Sequence, residues 1–140
     1  MSAVIPPDTE TFLCTWLRSR ISEPGFQADI REPDDYDGSY PLAVIRDDGG
    51  AQSERILFDR SIGVTIRGWT RGNPKPCDAL ARLVYAHLTA DPDILQGHAE
   101  GSPILAISED GCNGPYPVTE DADIARYYMT IEYTVAGEIL

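Results

Sequence analysis

Cationic side chains are scarce in this sequence. Eleven Lys and Arg stand against 23 Asp and Glu, a formal net charge of −12. A surface that acidic repels phosphate backbones and anionic headgroups, which argues against nonspecific binding to DNA, RNA or membrane. It leaves open DNA passing nearby without adhering. Long apolar runs are missing as well, and no stretch reaches the length needed to span a bilayer. Met1 to Pro7 lack a basic region followed by an apolar run, so no signal peptide is expected. Cysteine is sparse: Cys14, Cys77 and Cys112 are far apart and odd in number, which predicts a reduced, cytosolic protein without a disulfide framework.

Spacings that carry chemistry are also wanting. His87, His98 and the three cysteines fall in no CxxC or HExxH pattern, so no zinc site is expected. His87 lies in a helical apolar stripe and reads as a hydrogen-bonded core histidine. Asp35-Tyr36-Asp37-Gly38 and Glu120-Asp121-Ala122-Asp123 place carboxylates at alternate positions, as a calcium loop does. Counting from Asp35, however, position twelve is Arg46, where a bidentate acid is required. Both segments read as solvated acidic loops. No GxSxG occurs. Cys77 stands near a helix start, where a thiol pKa is lowered, but it has no local base and Asp78 beside it acts in the opposite direction. Gly68-Trp69-Thr70-Arg71-Gly72 lacks the glycine spacing and lysine–hydroxyl pair of a phosphate loop, and Pro74 and Pro76 remove two backbone donors. The expectation is a protein with no catalytic residue, no cofactor and no metal.

What is present is an order of elements. With 140 residues the chain fits one domain, 1–140, large enough for a core without disulfides or metal. Pro6-Pro7 followed by Asp8 predicts a helix start, with Phe12, Leu13, Trp16, Leu17 and Ile21 as its buried stripe and Pro24-Gly25 as its stop. Gln27 to Arg31 is a weak strand, 32–41 an acidic loop, Leu42 to Arg46 a strand, and Asp47-Asp48-Gly49-Gly50 a turn. Arg55 to Phe58 is extended. Ser61 to Thr70 alternates with period two, Ile62, Val64 and Ile66 facing one way and Thr65, Arg67 and Trp69 the other. After the turn at 71–76, Leu80, Leu83, Val84, His87 and Leu88 mark a second amphipathic helix. Pro103 to Ile107 is a short strand and Tyr116-Pro117-Val118 an edge. From Ala122 to Ala136, Tyr127, Met129, Ile131, Tyr133 and Val135 alternate with Tyr128, Thr130, Glu132 and Thr134 in a strand. This order predicts an α+β fold, a mainly antiparallel sheet with two amphipathic helices packed on one face.

One surface feature stands out on so acidic a chain. Arg67, Trp69, Arg71 and Lys75 form a basic, aromatic stretch, and Trp and Arg are enriched at interface centres. The alternative is that Trp69 packs under a loop. The acidic loop with Asp34, Asp35 and Asp37 is a natural electrostatic counterpart, and head-to-tail cyclic assembly needs two different complementary patches on one subunit. The loops at 32–41, 47–55 and 108–121 are candidates for ordering on contact.

The leading helix, the apolar strand, and Phe58 to Trp69 running into Ala79-Leu80-Ala81-Arg82-Leu83-Val84 resemble the tail terminator proteins of long-tailed, siphovirus-type bacteriophages, those of actinobacterial hosts above all. The likeness extends over most of the chain and includes the late apolar strand. It implies a virion structural protein, not an enzyme. Such proteins form a hexameric ring on the head-proximal end of the tail tube, end tube polymerisation and join the tail to head-completion proteins. The implied partners are further copies of the chain, the tail tube protein and a head-completion or connector protein, with DNA passing through the lumen unbound and no membrane. The implied location is the virion tail, assembled in the host cytoplasm. A different class, an acidic inhibitor or immunity-type protein that binds a basic partner, would be monomeric when free. A head-closure protein is a near relation.

Overall fold

The structure, a computed structural model, describes residues 2–140. Asp8 caps the first helix, α1 (Thr9–Arg20), by accepting a hydrogen bond from the Thr11 backbone N–H at 3.2 Å, which satisfies one of the donors a helix start leaves free. Leu13, Cys14, Trp16 and Leu17 form its buried side, and Ile21 closes it. The second helix, α2 (Lys75–Thr89), carries a proline in its first turn and buries Cys77, Leu80, Ala81, Val84 and Leu88. The stripe is narrower than the sequence suggests: Leu83 is exposed and His87 only half-buried.

The strands are β1 (Val4–Ile5), β2 (Gln27–Asp29), β3 (Leu42–Asp47), β4 (Gln52–Glu54), β5 (Leu57–Gly68), β6 (Ile104–Ile107), β7 (Asn113–Pro117), β8 (Ala125–Ala136) and β9 (Glu138–Ile139). The main sheet has the order β2-β3-β5-β8-β6, with β4 added to β5 and β7 to β8. Only β2 runs parallel to its neighbour, β3, and the other pairs are antiparallel. The architecture is α+β with both helices against the sheet, as the order of elements predicts.

The sheet is organised around β5 and β8, which pair without a break from Leu57↔Ala136 to Gly68↔Ala125. Burial along β8 alternates at every residue, so Ala125, Tyr127, Met129, Ile131, Tyr133 and Val135 face the helices. Ile62, Val64 and Ile66 of β5 and Ala43 and Ile45 of β3 join them. Each of these Ile and Val side chains removed from water contributes about 1.5–3 kcal/mol. The end of α2 is pinned from two sides: the Trp16 indole donates to the His87 carbonyl at 3.1 Å, and the wholly buried Tyr133 hydroxyl donates to the Leu88 carbonyl at 2.6 Å. Both carbonyls lie in the last helical turn, where intrahelical partners run out.

The other sheet face holds Arg46, Thr65, Arg67, Arg126, Tyr128 and Thr130. Gly63 lies there because a Cβ would collide with the Tyr128 hydroxyl. Arg55 and Ile56 are not extended as expected: they form the tight turn that joins β4 to β5, and the strand begins at Leu57. The ribbon β1–β9 and the polar strand β4 were not expected.

Candidate functional site

At the Gly68/Ala125 end of the central pair, two loops close over the open sheet face and meet on one side chain. Arg67 is opposite Arg126 in the register of β5 and β8, and like charges facing each other across a strand pair repel. The Glu120 carboxylate spans both: one oxygen takes the Arg67 Nη2 hydrogen bond, and the other lies 3.7 Å from Arg126 Nη1. Glu32, from the acidic loop, accepts from Arg67 Nη1 at 2.5 Å. Tyr36 of that loop places its ring 5.1 Å from the guanidinium and donates its hydroxyl to the Tyr40 carbonyl at 2.7 Å. Charges thus alternate along the line Glu32, Arg67, Glu120, Arg126.

Burial explains the electrostatics. Arg67 is only 8% exposed. Burial opposes its charge, but the hydrogen bonds accepted by Glu32 and Glu120 outweigh that and hold its pKa above the ordinary guanidinium value. Burial, partly offset by the nearby Arg67 charge, pushes the Tyr36 phenol upward. The Nε–H groups of Arg67 and Arg126 are buried without a hydrogen-bond partner among the described residues.

The residues proposed from sequence are therefore placed as follows. Arg67 is not an exposed part of a basic patch; it is taken up by carboxylates of its own chain. Its outward position on β5 is as the alternation predicts, and it is the loops, invisible to that alternation, that bury it. Trp69 has left the strand. Gly68 (φ 149°) and Trp69 itself (φ 55°) turn the chain, and the half-buried indole packs against the core, beside Pro24, Tyr40 and Pro41. Arg71 is exposed, its backbone N–H bound to Asp123 Oδ1 at 3.2 Å and its guanidinium to the Asp121 carbonyl at 3.3 Å. Lys75 opens α2 and is exposed. Asp34 pairs with Arg31 at 3.4 Å on the surface, Asp35 is exposed, and Asp37 accepts from Ser39 N–H at 3.0 Å; the Ser39 hydroxyl first and this N–H second lower its pKa. The acidic loop and the basic stretch are thus neighbours within one subunit, joined through Glu32. Glu32, Glu120, Arg126 and Tyr36 are the members that sequence reasoning missed. The register of β5 on β8 is the one signal that pairs Arg126 with Arg67.

Two depressions flank the cluster and share Glu120 and Arg126. One, of ≈ 460 Å³, lies on the open sheet face between Arg46, Thr65, Arg67 and Arg126. The other, of ≈ 390 Å³, runs between Arg71, Pro74, Pro117, Ile124 and Tyr127. Elsewhere, His87 Nδ1 lies 3.0 Å from Asp91 Oδ2. Burial raises the Asp91 pKa, but that bond, the Asp93 N–H and Arg20 together bring it below the ordinary value. Burial, with Asp78 adding to it, pushes the Cys77 thiol up to about 12. Among the described residues no group of His, Cys, Asp and Glu is arranged to hold a metal ion, and no helix is long and apolar enough to cross a membrane. No protein-family model matches the chain, and neither does any curated protein.

Proposed function

We propose that this chain is a structural subunit of a phage tail, a non-enzymatic tail terminator that closes into a hexameric ring on the head-proximal end of the tail tube. One observation supports the reading most: the two ends of the central β5–β8 pair have different chemistry. At the Leu57/Ala136 end, the β1–β9 ribbon and the turn before β5 expose Ile5, Ile56, Ile139 and Leu140, the last two at 65% and 72%. At the Gly68/Ala125 end lie the ion cluster and the exposed Arg71, Lys75 and Asp34. A subunit that touches tube on one side and head-completion protein on the other needs two dissimilar docking surfaces, and exposed apolar groups of this kind mark contact sites.

The net charge of −12 suits a lumen through which DNA slides without adhering, because like charge keeps the phosphate backbone off the wall. In this reading the partners are other copies of the chain, the tube protein and a connector protein, and the location is the virion. Adding the purified chain to polymerising tube protein tests it. The terminator reading expects tubes that stop at short, uniform lengths with a ring on one end. Unchanged tube lengths and bare ends would contradict it.

A further inference from the structure

We propose that the depression on the open sheet face receives a carboxylate from a second copy of this chain, supplied by the Glu109–Asp110 corner, so that Arg126, with the exposed Arg46 beside it, gains a close carboxylate only on assembly. The inference rests on the ring reading above and names its contact.

The groove is electrostatically unfinished. Three of the chain's 11 cationic side chains, Arg46, Arg67 and Arg126, converge on it. Arg67 is satisfied at both Nη atoms by Glu32 and Glu120. Among the described residues, the one carboxylate paired with Arg126 is Glu120 at 3.7 Å, which already holds Arg67. Arg46 lines it too, 66% exposed and held by both Asp48 oxygens, through Nε at 2.6 Å and Nη2 at 3.5 Å, with Nη1 left over. Thr65 and Val44 form the floor. A carboxylate entering between Arg46 and Arg126 continues the alternation of charge that the subunit begins, and a guanidinium offers two parallel donors to such a group.

The donor of that carboxylate must lie elsewhere on the subunit for head-to-tail closure. Asp34, Asp35 and Asp37 belong to the loop that borders the cluster, which places them on the same side as the groove. Glu109 and Asp110 do not. They form a 3-10 turn, Glu109–Gly111, between β6 and β7 at the far edge of the sheet. It is six residues along β8 from Arg126, about 20 Å at ~3.3 Å per residue. The corner is rigidly held: Gly111 N–H bonds the Ser108 carbonyl at 3.0 Å, Ser108 N–H bonds the Glu132 carbonyl at 2.9 Å, and Gly111 packs on the Glu132 side chain with no room for a Cβ. Both carboxylates are exposed, and neither makes an ion pair among the described residues. Of the other adjacent acids, Asp34 is committed to Arg31, Asp47 to Arg60, Asp48 to Arg46 and Glu120 to Arg67, while Asp35 and Asp121 lie in the loops at the groove's own end. Rigid, paired carboxylates at one place and, at another, an Arg126 guanidinium with a single long contact next to an exposed Arg46 are complementary surfaces.

The test is charge reversal read by native mass spectrometry of the full chain, with circular dichroism confirming the fold of each variant. Arg46→Glu leaves the Arg67 clamp intact, and Glu109→Arg with Asp110→Arg alters only the exposed corner. Each change alone is expected to weaken assembly roughly tenfold or more, and the combination to restore it to within about threefold of the parent. A ring unaffected by either reversal, or one not rescued by the combination, overturns the contact while leaving the ring reading in place. A parent chain that stays monomeric overturns the ring reading and this contact with it.

Discussion

Arg67 and Arg126 face each other across β5 and β8, and a single carboxylate, Glu120, spans the pair. Two like charges at directly opposed positions destabilise a sheet unless something lies between them. Here the neutralising group comes from a loop, and a second loop supplies Glu32 to the same guanidinium. The pair therefore couples the sheet to both loops that close its charged end.

Replacing Glu120 by Gln keeps the shape of the side chain and removes the bridging charge. We expect a loss of about 1–3 kcal/mol in urea unfolding, from the buried guanidinium left under-paired and from the exposed repulsion with Arg126. Adding Arg126→Gln should recover part of that loss, and raising the salt concentration should reduce it. An equal loss in the Arg126→Gln background would show that the two arginines do not communicate through Glu120.

Tyr133→Phe removes the hydroxyl that caps the Leu88 carbonyl in a fully buried setting. An acceptor stranded there costs about 1–3 kcal/mol, and the end of α2 is where the effect should concentrate. Hydrogen exchange should speed up at Thr89 and Ala90 more than in the middle of the helix. Uniform acceleration along α2 would mean that the bond does not pin that end.

Alkaline pH should weaken the fold through Cys77. Its thiol is held up at about 12 in the folded chain against an ordinary value of 9.0, so the unfolded chain loses the proton first. Between those two values the native state binds the extra proton and stability falls as pH rises, whereas below about 9 the thiol contributes no slope. Unfolding free energies measured from pH 8 to 11 should decline, and less steeply in Cys77→Ala. Parallel declines in the two proteins would place the effect in other groups.

The sequence revealed elements wherever burial imposed a period. β8 was readable because Tyr127, Met129, Ile131, Tyr133 and Val135 all face the core, and α1 because Pro6-Pro7 and Asp8 fix its start. β4 was not, since Gln52, Ser53 and Glu54 are exposed throughout and have no apolar face to alternate. β1 and β9 are two residues each, too short to carry any pattern, and they find each other across the whole chain. The charged cluster was half legible. Alternation put Arg67 on the outward face, correctly, but outward means exposed only when nothing lies on top. Glu32 and Glu120 are 35 and 53 residues away along the chain, and no local signal links them to Arg67.

The proposed closed ring with two unlike faces is open to a single measurement. Native mass spectrometry of the purified protein, followed by negative-stain imaging of the largest species, tests it most directly. Six copies in a ring with an open centre are expected; a monomer at every concentration, with no open-centred particle, would rule the ring out.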